Sequence, residues 1–289
     1  MGVREVARAG VVGLGTMGAG IAQLCIQAGV PTVAVETTPE LAERGRGRVA
    51  AGLERLAAKG TITEKQRDAT LALLDPATDV SALAGCDIVI EAVFESLEVK
   101  NELFARLEAA VGAEAVLATN TSALSVTEIA APLAHPERVV GMHFFNPAPV
   151  LPLVEVVRTE GTAEEAFATA YAFAERLGKD PIACVDTPGF VVNRILIPVL
   201  NDAVRVLDEG VASPEDIDKG MRLGTNWPIG PLALIDLIGI DTYVHVCEAL
   251  WSSIREERFA PPPTLVQMLE DGRLGRKSGQ GFFEYAAAA

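Results

Sequence analysis

Ala9-Gly10-Val11-Val12-Gly13-Leu14-Gly15-Thr16-Met17-Gly18-Ala19-Gly20-Ile21 decides how the first half of this chain folds. Ala9–Val12 is an apolar strand, Gly13, Gly15 and Gly18 make a GxGxxG turn, and a helix is expected from about Thr16 to Ala28. Thr32–Val35 is a second apolar strand, closed by Glu36. Gly13 permits the tight turn, Gly15 lets backbone N–H groups approach a pyrophosphate, and Gly18 lets the helix pack with its N-terminus facing the anion. The glycine spacing by itself is a weak signal, because a ligand-free turn or an FAD site would use it too. The strand before, the helix after and the acidic residue closing the next strand add the context of a dinucleotide site. Glu36 is placed to accept hydrogen bonds from the adenosine ribose. A carboxylate there repels a 2′-phosphate, and no Arg follows within Thr37–Pro39, so NAD is favoured over NADP.

Working outward, strand and helix keep alternating. Cys86–Val93 and Ala115–Ala118 are strand-like, with a helix from about Leu97 to Val111 between them. Arg138–Phe145 and Val150–Val157 follow, joined by the Pro-rich turn Asn146–Pro149, and a helix over Glu164–Leu177 leads to a last strand, Pro181–Val185. This alternation predicts an α/β domain with a doubly wound, mainly parallel sheet. After Thr187-Pro188-Gly189 strand runs vanish and helical periodicity takes over from Val191 to Leu207. Ser213-x-x-Asp216 reads as a capping box, Gly224–Pro231 as a breaker cluster, and further helices are expected to about Asp271. The expected division is 1–186 and an all-helical 187–289, the latter ending in the Ala286–Ala289 tail.

The composition, 49% hydrophobic and 22% charged over 289 residues, excludes intrinsic disorder. A formal net charge of -15 argues against nucleic acid and anionic membrane surfaces as partners. The uncharged stretch Ala9–Val35 is long enough to span a bilayer or imitate a signal peptide. Its six glycines and Pro31 suit a buried strand–turn–helix–turn–strand instead. Cys25, Cys86, Cys184 and Cys247 stand apart, in no metal-like spacing, so no metal is expected and a reducing, cytoplasmic compartment fits.

Of the three histidines, His135 precedes Pro136 in a loop and His245 lies in an apolar helical stretch, both structural positions. His143 is near the carboxyl end of a sheet strand, where α/β sites form, and Glu155 follows across the Pro-rich turn. A dehydrogenase needs a base for the alcohol proton, with a carboxylate to orient the ring. Spacing alone favours an unrelated His and Glu over a catalytic pair. Ser122 in Asn120-Thr121-Ser122 is a loop hydroxyl or a donor to a substrate oxygen. Asn193, an amide in the apolar opening of a helix past the domain junction, calls for a polar partner such as a cleft supplies.

Between Thr32–Val35 and Cys86 the chain spends more residues than one crossover helix needs. Pro39–Lys59 and Thr63–Leu74 read as a helical hairpin inserted at 39–74 and turned at Gly60. From Pro39 to Arg67 it carries seven basic residues against four acidic ones, and Arg44, Arg48, Arg55 and Lys59 share one helix face. That face is either solvated or a dock for a polyanion.

The segments GLGTMG, AVFESLEVK, NTSALS, GMHFFNPAPV, LVEVV, DTPGFVVNRIL, EDIDKGMRLG, NWPIGPL and LGRKSGQGFFEY span nearly the whole chain. In these the sequence resembles the L-3-hydroxyacyl-CoA dehydrogenases, most closely the bacterial 3-hydroxybutyryl-CoA type. The resemblance implies a Rossmann-type domain, a helical domain forming a homodimer interface, NAD as oxidant and an acyl-CoA substrate. It implies His143 as catalytic base, Glu155 as its electrostatic partner, and Ser122 and Asn193 holding the reacting oxygen and substrate. Gly13, Leu14, Gly15, Thr16, Met17, Gly18, Glu36, Glu95, Lys100, Ser122, Asn146 and Lys277 fall at cofactor positions. Lys59, with Arg55 and Ser122, falls on the coenzyme A side, which turns the basic hairpin into a docking surface. Three positions depart from the family. Glu36 replaces the usual Asp, Gly52 replaces a serine that contacts coenzyme A, and Trp227 stands where His or Tyr is commoner.

Two rivals remain at this stage. One is a sister activity on a non-thioester hydroxy acid such as L-gulonate or carnitine, which would leave the basic face without a phosphoadenosine to dock. The other is a non-catalytic NAD-binding protein, against which the intact Ser122, His143, Glu155 and Asn193 set speaks.

Overall fold

A computed structural model describes residues 2–285, and the Ala286–Ala289 tail lies outside them. The chain divides into two compact units, Met1–Thr187 and Pro188–Ala289. The first is α/β. Its elements are β1 (Ala9–Val12), α1 (Thr16–Gln27), β2 (Thr32–Val35), α2 (Pro39–Ala58), α3 (Glu64–Leu71), β3 (Leu74–Ala77) and β4 (Ile88–Glu91). They continue through α4 (Leu97–Ala110), β5 (Val116–Thr119), α5 (Val126–Ala130), β6 (Val139–Phe144), β7 (Leu153–Arg158), α6 (Glu164–Arg176) and β8 (Asp180–Val185).

The eight strands form one sheet in the order β3-β2-β1-β4-β5-β6-β7-β8. The first six are mutually parallel, β7 runs antiparallel to β6, and β8 is parallel to β7. Residues of β1, β2, β4, β5 and β6 are buried throughout, because helices cover both faces of a parallel sheet and alternation is lost. The chain steps from β1 outward to β2 and back to β4, so the crevice past the ends of β1 and β4 is the topological switch point.

The inserted hairpin is present as α2 and α3, with Gly60 turning at positive φ. Thr38 caps α2 by accepting from the Leu41 amide, and Pro39 occupies its first turn. Two expectations are corrected here. The helix expected to reach Leu74 stops at Leu71, and Leu74–Ala77 is the edge strand β3, whose outer position tolerates Pro76. The capping box is made by Thr63 and Gln66 at α3, whereas at Ser213 the hydroxyl caps the Asp216 amide and the Asp216 carboxylate meets that same hydroxyl.

The second unit consists of α7 (Val192–Asp208), α8 (Pro214–Gly224), α9 (Pro231–Ile238), α10 (Ile240–Ile254) and α11 (Pro263–Glu270). Leu200, Tyr243, Leu250 and Phe259 are at its core, and Trp227 packs partly buried against them. Asp236 staples the segment after α11 to α9, accepting from the Phe282 and Phe283 amides and the Tyr285 hydroxyl. All four cysteines are buried thiols, and burial pushes Cys25 and Cys247 up to about 12 and Cys86 and Cys184 up to about 11. They are therefore inert packing residues. Among the described residues no helix is long and apolar enough to cross a membrane, and no cluster of three or more His, Cys, Asp or Glu is arranged to hold a metal ion.

Candidate active site

His143 and Glu155 are direct cross-strand partners in the β6–β7 pair. Glu155 follows twelve positions after His143 because the intervening turn reverses the chain, and as direct partners both side chains emerge on the same face of the sheet. His143 Nδ1 lies 2.7 Å from Glu155 Oε2, and neither side chain is exposed by more than 5%. With the carboxylate accepting, Nδ1 carries the proton and Nε2 is the acceptor nitrogen of the ring. The Phe145 ring packs tilted against the imidazole at 4.5 Å, and the next amide, Phe144 N–H, donates to Asn120 Oδ1 at 2.9 Å. Strand pairing, a ring and an amide thus fix the histidine.

Ser122 sits in the loop after β5, held by a buried ion cluster. Its amide donates to Glu95 Oε1 at 2.9 Å, and the Thr121 hydroxyl donates to the same oxygen at 2.5 Å. Burial works to raise the Glu95 pKa, but the charge of Lys100 and the donors on Thr121, Ser122 and Ala123 outweigh it and hold the carboxyl below its usual range. Lys100 Nζ lies 2.6 Å from Glu91 Oε1 and 3.3 Å from Glu95 Oε2, with no exposed side-chain surface. Lys100, expected at a cofactor position, here neutralises two carboxylates and sets the position of Glu95. On the far side of the loop, Asp186 accepts from the Ser125 and Thr127 hydroxyls and the Val126 and Thr127 amides, capping α5.

The glycine turn closes β1 at the switch point. Gly13 has φ +87, and a Cβ there would meet the Ala92 carbonyl oxygen at 2.8 Å. A Cβ on Gly18 would stand 1.7 Å from the Gly13 carbonyl oxygen. Gly15 differs: a Cβ would meet nothing within 4 Å. It is the N-cap of α1, with no side-chain cap and no acidic residue in the first turn. Packing explains Gly13 and Gly18, so the open space at Gly15 is kept for something else. It opens on a cavity of about 670 Å³ that Glu36, Thr37, Phe94 and Arg106 also line. An uncapped helix start facing that space suits a pyrophosphate. Thr16 is exposed and Met17 half-buried beside it, whereas Leu14 is buried. Glu36 is engaged from within the protein: Oε1 accepts from the Leu14 amide at 2.6 Å and Oε2 from the Thr37 amide at 3.1 Å. The Leu14 amide is thereby taken, and the carboxylate is held in the cavity wall.

A second cavity of about 440 Å³ runs between α1, α2 and the β6–β7 loop, lined by Arg48, Arg55, Lys59, Gln23, Asn146 and Pro149 among others. Three of the four cations on the shared helix face lie along it, and Arg44 is exposed elsewhere on α2. Arg48 also donates to the Leu14 carbonyl at 2.9 Å, tying the hairpin to the glycine turn. At Gly52 a Cβ would lie 2.0 Å from Gln23 Oε1, so the Gln23 carboxamide occupies the place of a side chain there. In the second unit, Asn193 is in the first turn of α7 and Lys277 is ion-paired with Asp241. Asn120 and Asp186 are not among the expected site residues, and each acts by a long-range contact that no motif spacing signals; Arg48 is expected on the basic face, but its bond to the Leu14 carbonyl is not.

Residues 8–187 match the family model "3-hydroxyacyl-CoA dehydrogenase, NAD binding domain", and residues 189–285 match "3-hydroxyacyl-CoA dehydrogenase, C-terminal domain". The chain belongs to the 3-hydroxyacyl-CoA dehydrogenase family. It is 45% identical to the 3-hydroxybutyryl-CoA dehydrogenase of Mycobacterium tuberculosis over 97% of this chain and 99% of that protein. It is similar to the crystal structure of M. tuberculosis FadB2, with TM-score 0.95 and 45% identity over 98% of this chain and 100% of that one. The (S)-3-hydroxybutyryl-CoA dehydrogenase of Ralstonia eutropha gives TM-score 0.93 at 42% identity, again covering 98% and 100%.

The two glycines of the family turn should separate in experiment. Gly15→Ala should leave thermal unfolding unchanged while weakening NADH binding by about tenfold, roughly 1.4 kcal/mol. Gly18→Ala, which must displace a backbone oxygen, should lower the melting temperature. Fluorescence titration with NADH beside a melting curve checks both, and equal behaviour of the two variants would show that Gly15 too is a packing residue.

Proposed function

We infer that this chain oxidises (S)-3-hydroxyacyl-CoA to 3-ketoacyl-CoA with NAD and runs the reverse reduction, the short-chain 3-hydroxybutyryl-CoA being its expected substrate. The observation that carries this is the buried His143–Glu155 pair, in one unit with a glycine turn at the switch point and a groove lined by three cations. The names of the full-length relatives point the same way. Bound NAD supplies the hydride acceptor, and the open space at Gly15, the uncapped start of α1 and Glu36 would hold it.

Loss of hydride from C3 must be matched by loss of the hydroxyl proton, and His143 takes that proton at Nε2. Glu155 keeps Nδ1 protonated, orients the ring and stabilises the imidazolium that results. Ser122 and Asn193 hold the reacting oxygen and the substrate. The family resemblance assigns cofactor contacts to Glu95, which Lys100 braces, to Asn146 and to Lys277. Arg48, Arg55 and Lys59 take the phosphates of coenzyme A, which a gulonate- or carnitine-type substrate would leave unmet. The helical unit exposes Ile195, Val211 and Leu223 at 65%, 67% and 75%, apolar surface suited to cover by a second copy in a homodimer. Four buried thiols suit a cytoplasmic setting.

NADH oxidation against acetoacetyl-CoA tests the assignment. Turnover of the thioester is expected, with kcat/KM for NADPH lower by at least about tenfold, roughly 1.4 kcal/mol, because the Glu36 carboxylate would repel a 2′-phosphate. Activity confined to a free hydroxy acid would replace it with the gulonate or carnitine reading.

The base is tested separately. His143→Ala should lower kcat by about 10²–10⁴, the usual worth of general acid–base catalysis, with NADH affinity nearly unchanged. Glu155→Gln keeps the shape, removes the charge and should also lower kcat, and the two losses should not add in the double variant. A His143→Ala enzyme with near-normal kcat would sink the assignment.

For the groove, Lys59→Ala should raise KM for acetoacetyl-CoA at low ionic strength, with the loss shrinking as salt rises. An unchanged KM at low salt would leave Lys59 as a solvated surface lysine.

A further inference from the structure

The turn between β6 and β7, residues 145–152, joins the strand of His143 to the strand of Glu155 and forms one wall of the basic groove. Pro147, Pro149 and Pro152 have no N–H to donate, so the turn can do little to hold itself. The amides of Val150 and Leu151 both return to the Pro147 carbonyl, at 2.9 and 3.1 Å. Further support comes from a segment distant in sequence, at the start of β8. Lys179 Nζ donates to the Ala148 carbonyl at 2.6 Å and to the Leu151 carbonyl at 2.9 Å.

Lys179 is only 6% exposed, and among the described residues no carboxylate is paired with it. Burial alone holds its pKa below the usual lysine range. A cation buried without a counter-ion is costly, and an apolar side chain of similar length would fill the same space more cheaply. What an apolar chain lacks is the set of donors that the proline-rich turn needs. Lys179 is itself well anchored. Its amide donates to the Ala174 carbonyl at the end of α6, and the next amide, Asp180 N–H, donates to the Pro152 carbonyl at 2.9 Å. Two successive residues therefore hold three carbonyls of one turn: Ala148, Leu151 and Pro152. They do so at the start of β8, which pairs with β7 opposite Glu155.

We propose that Lys179 is a positioning residue whose buried ammonium clamps the β6–β7 turn as the wall of the acyl-CoA groove, so that the nucleotide end of the substrate docks in register with His143. This rests on the acyl-CoA reading of the groove given above. Lys179 touches neither the substrate nor the reacting atoms; it acts through Ala148, Pro149 and Val150, which line the groove.

The test compares two substrates on the full-length protein. Acetoacetyl-CoA fills the groove, whereas acetoacetyl-N-acetylcysteamine carries the same reacting group without the nucleotide. Lys179→Met should raise KM for acetoacetyl-CoA by about tenfold while kcat/KM for the truncated thioester stays within about twofold, a split that loss of stability would not produce. Should Lys179→Met not fold, Lys179→Gln, which keeps two N–H donors on a shorter arm, should show the same split between the two substrates with a smaller rise in KM. Equal losses on both substrates, or no loss on either, would overturn the role of Lys179. A wild-type protein inactive on acetoacetyl-CoA would instead overturn the proposed function, so the two failures are distinguishable.

Discussion

Glu155 has no exposed side-chain surface, and a carboxylate so placed is tolerated only with partners. His143 supplies one because β7 turns back antiparallel beside β6, the single reversal of direction in the sheet. Side chains alternate between faces along a strand, so a slip of one residue in that pair would send the carboxylate to the opposite face. Much of the first unit serves to hold this register. β8 flanks β7 on its outer side, Asn120 accepts from the Phe144 amide, and the turn between the two strands is gripped from the end of α6. The catalytic pair is thus a property of the sheet more than of two side chains.

Charge is distributed with the same economy. A chain of net charge -15 concentrates cations along one face of α2, where the groove lies. In one buried cluster opposite charges are set against each other: Lys100 sits between Glu91 and Glu95, and their bonds to Thr119, Thr121, Val93 and Ser122 leave the cluster well satisfied. That cluster hangs the Ser122 loop from the ends of β4 and β5. Asp186 grips the same loop from the end of β8, so three strands converge on a short stretch of chain that has no strand of its own. Rigid strands thereby position a loop residue, as a preorganised site requires.

The glycine turn, the alternation of strands with helices, the change to helices after Thr187 and the inserted hairpin were all legible in the sequence, because each rests on local periodicity or on a turn that admits few residues. β3 was not. Leu71-Ala72-Leu73-Leu74 continues a helical pattern without a break, and only pairing with β2 makes an edge strand of Leu74–Ala77. The capping box was expected at Ser213 and formed at Thr63, since a Ser-x-x-Asp pattern specifies the first bond of the box but not the return. His143 and Glu155 were legible as residue types, and their pairing became compelling only through the family segments around them. The bond from the Leu14 amide that holds the Glu36 carboxylate in place was not legible, because it depends on how the turn folds back on the end of β2.

The sequence by itself determined the fold class, the dinucleotide turn, the basic hairpin and the family, since all of these are written in residues close together along the chain. Tertiary structure alone decided that Lys100 faces two carboxylates instead of open space, that Gln23 fills the place left by Gly52, and that Lys179 holds the turn beyond His143. The physical reason is the same in each case. A buried polar group must find its partner wherever the packed chain offers one, and that partner is set by which strands and helices lie side by side.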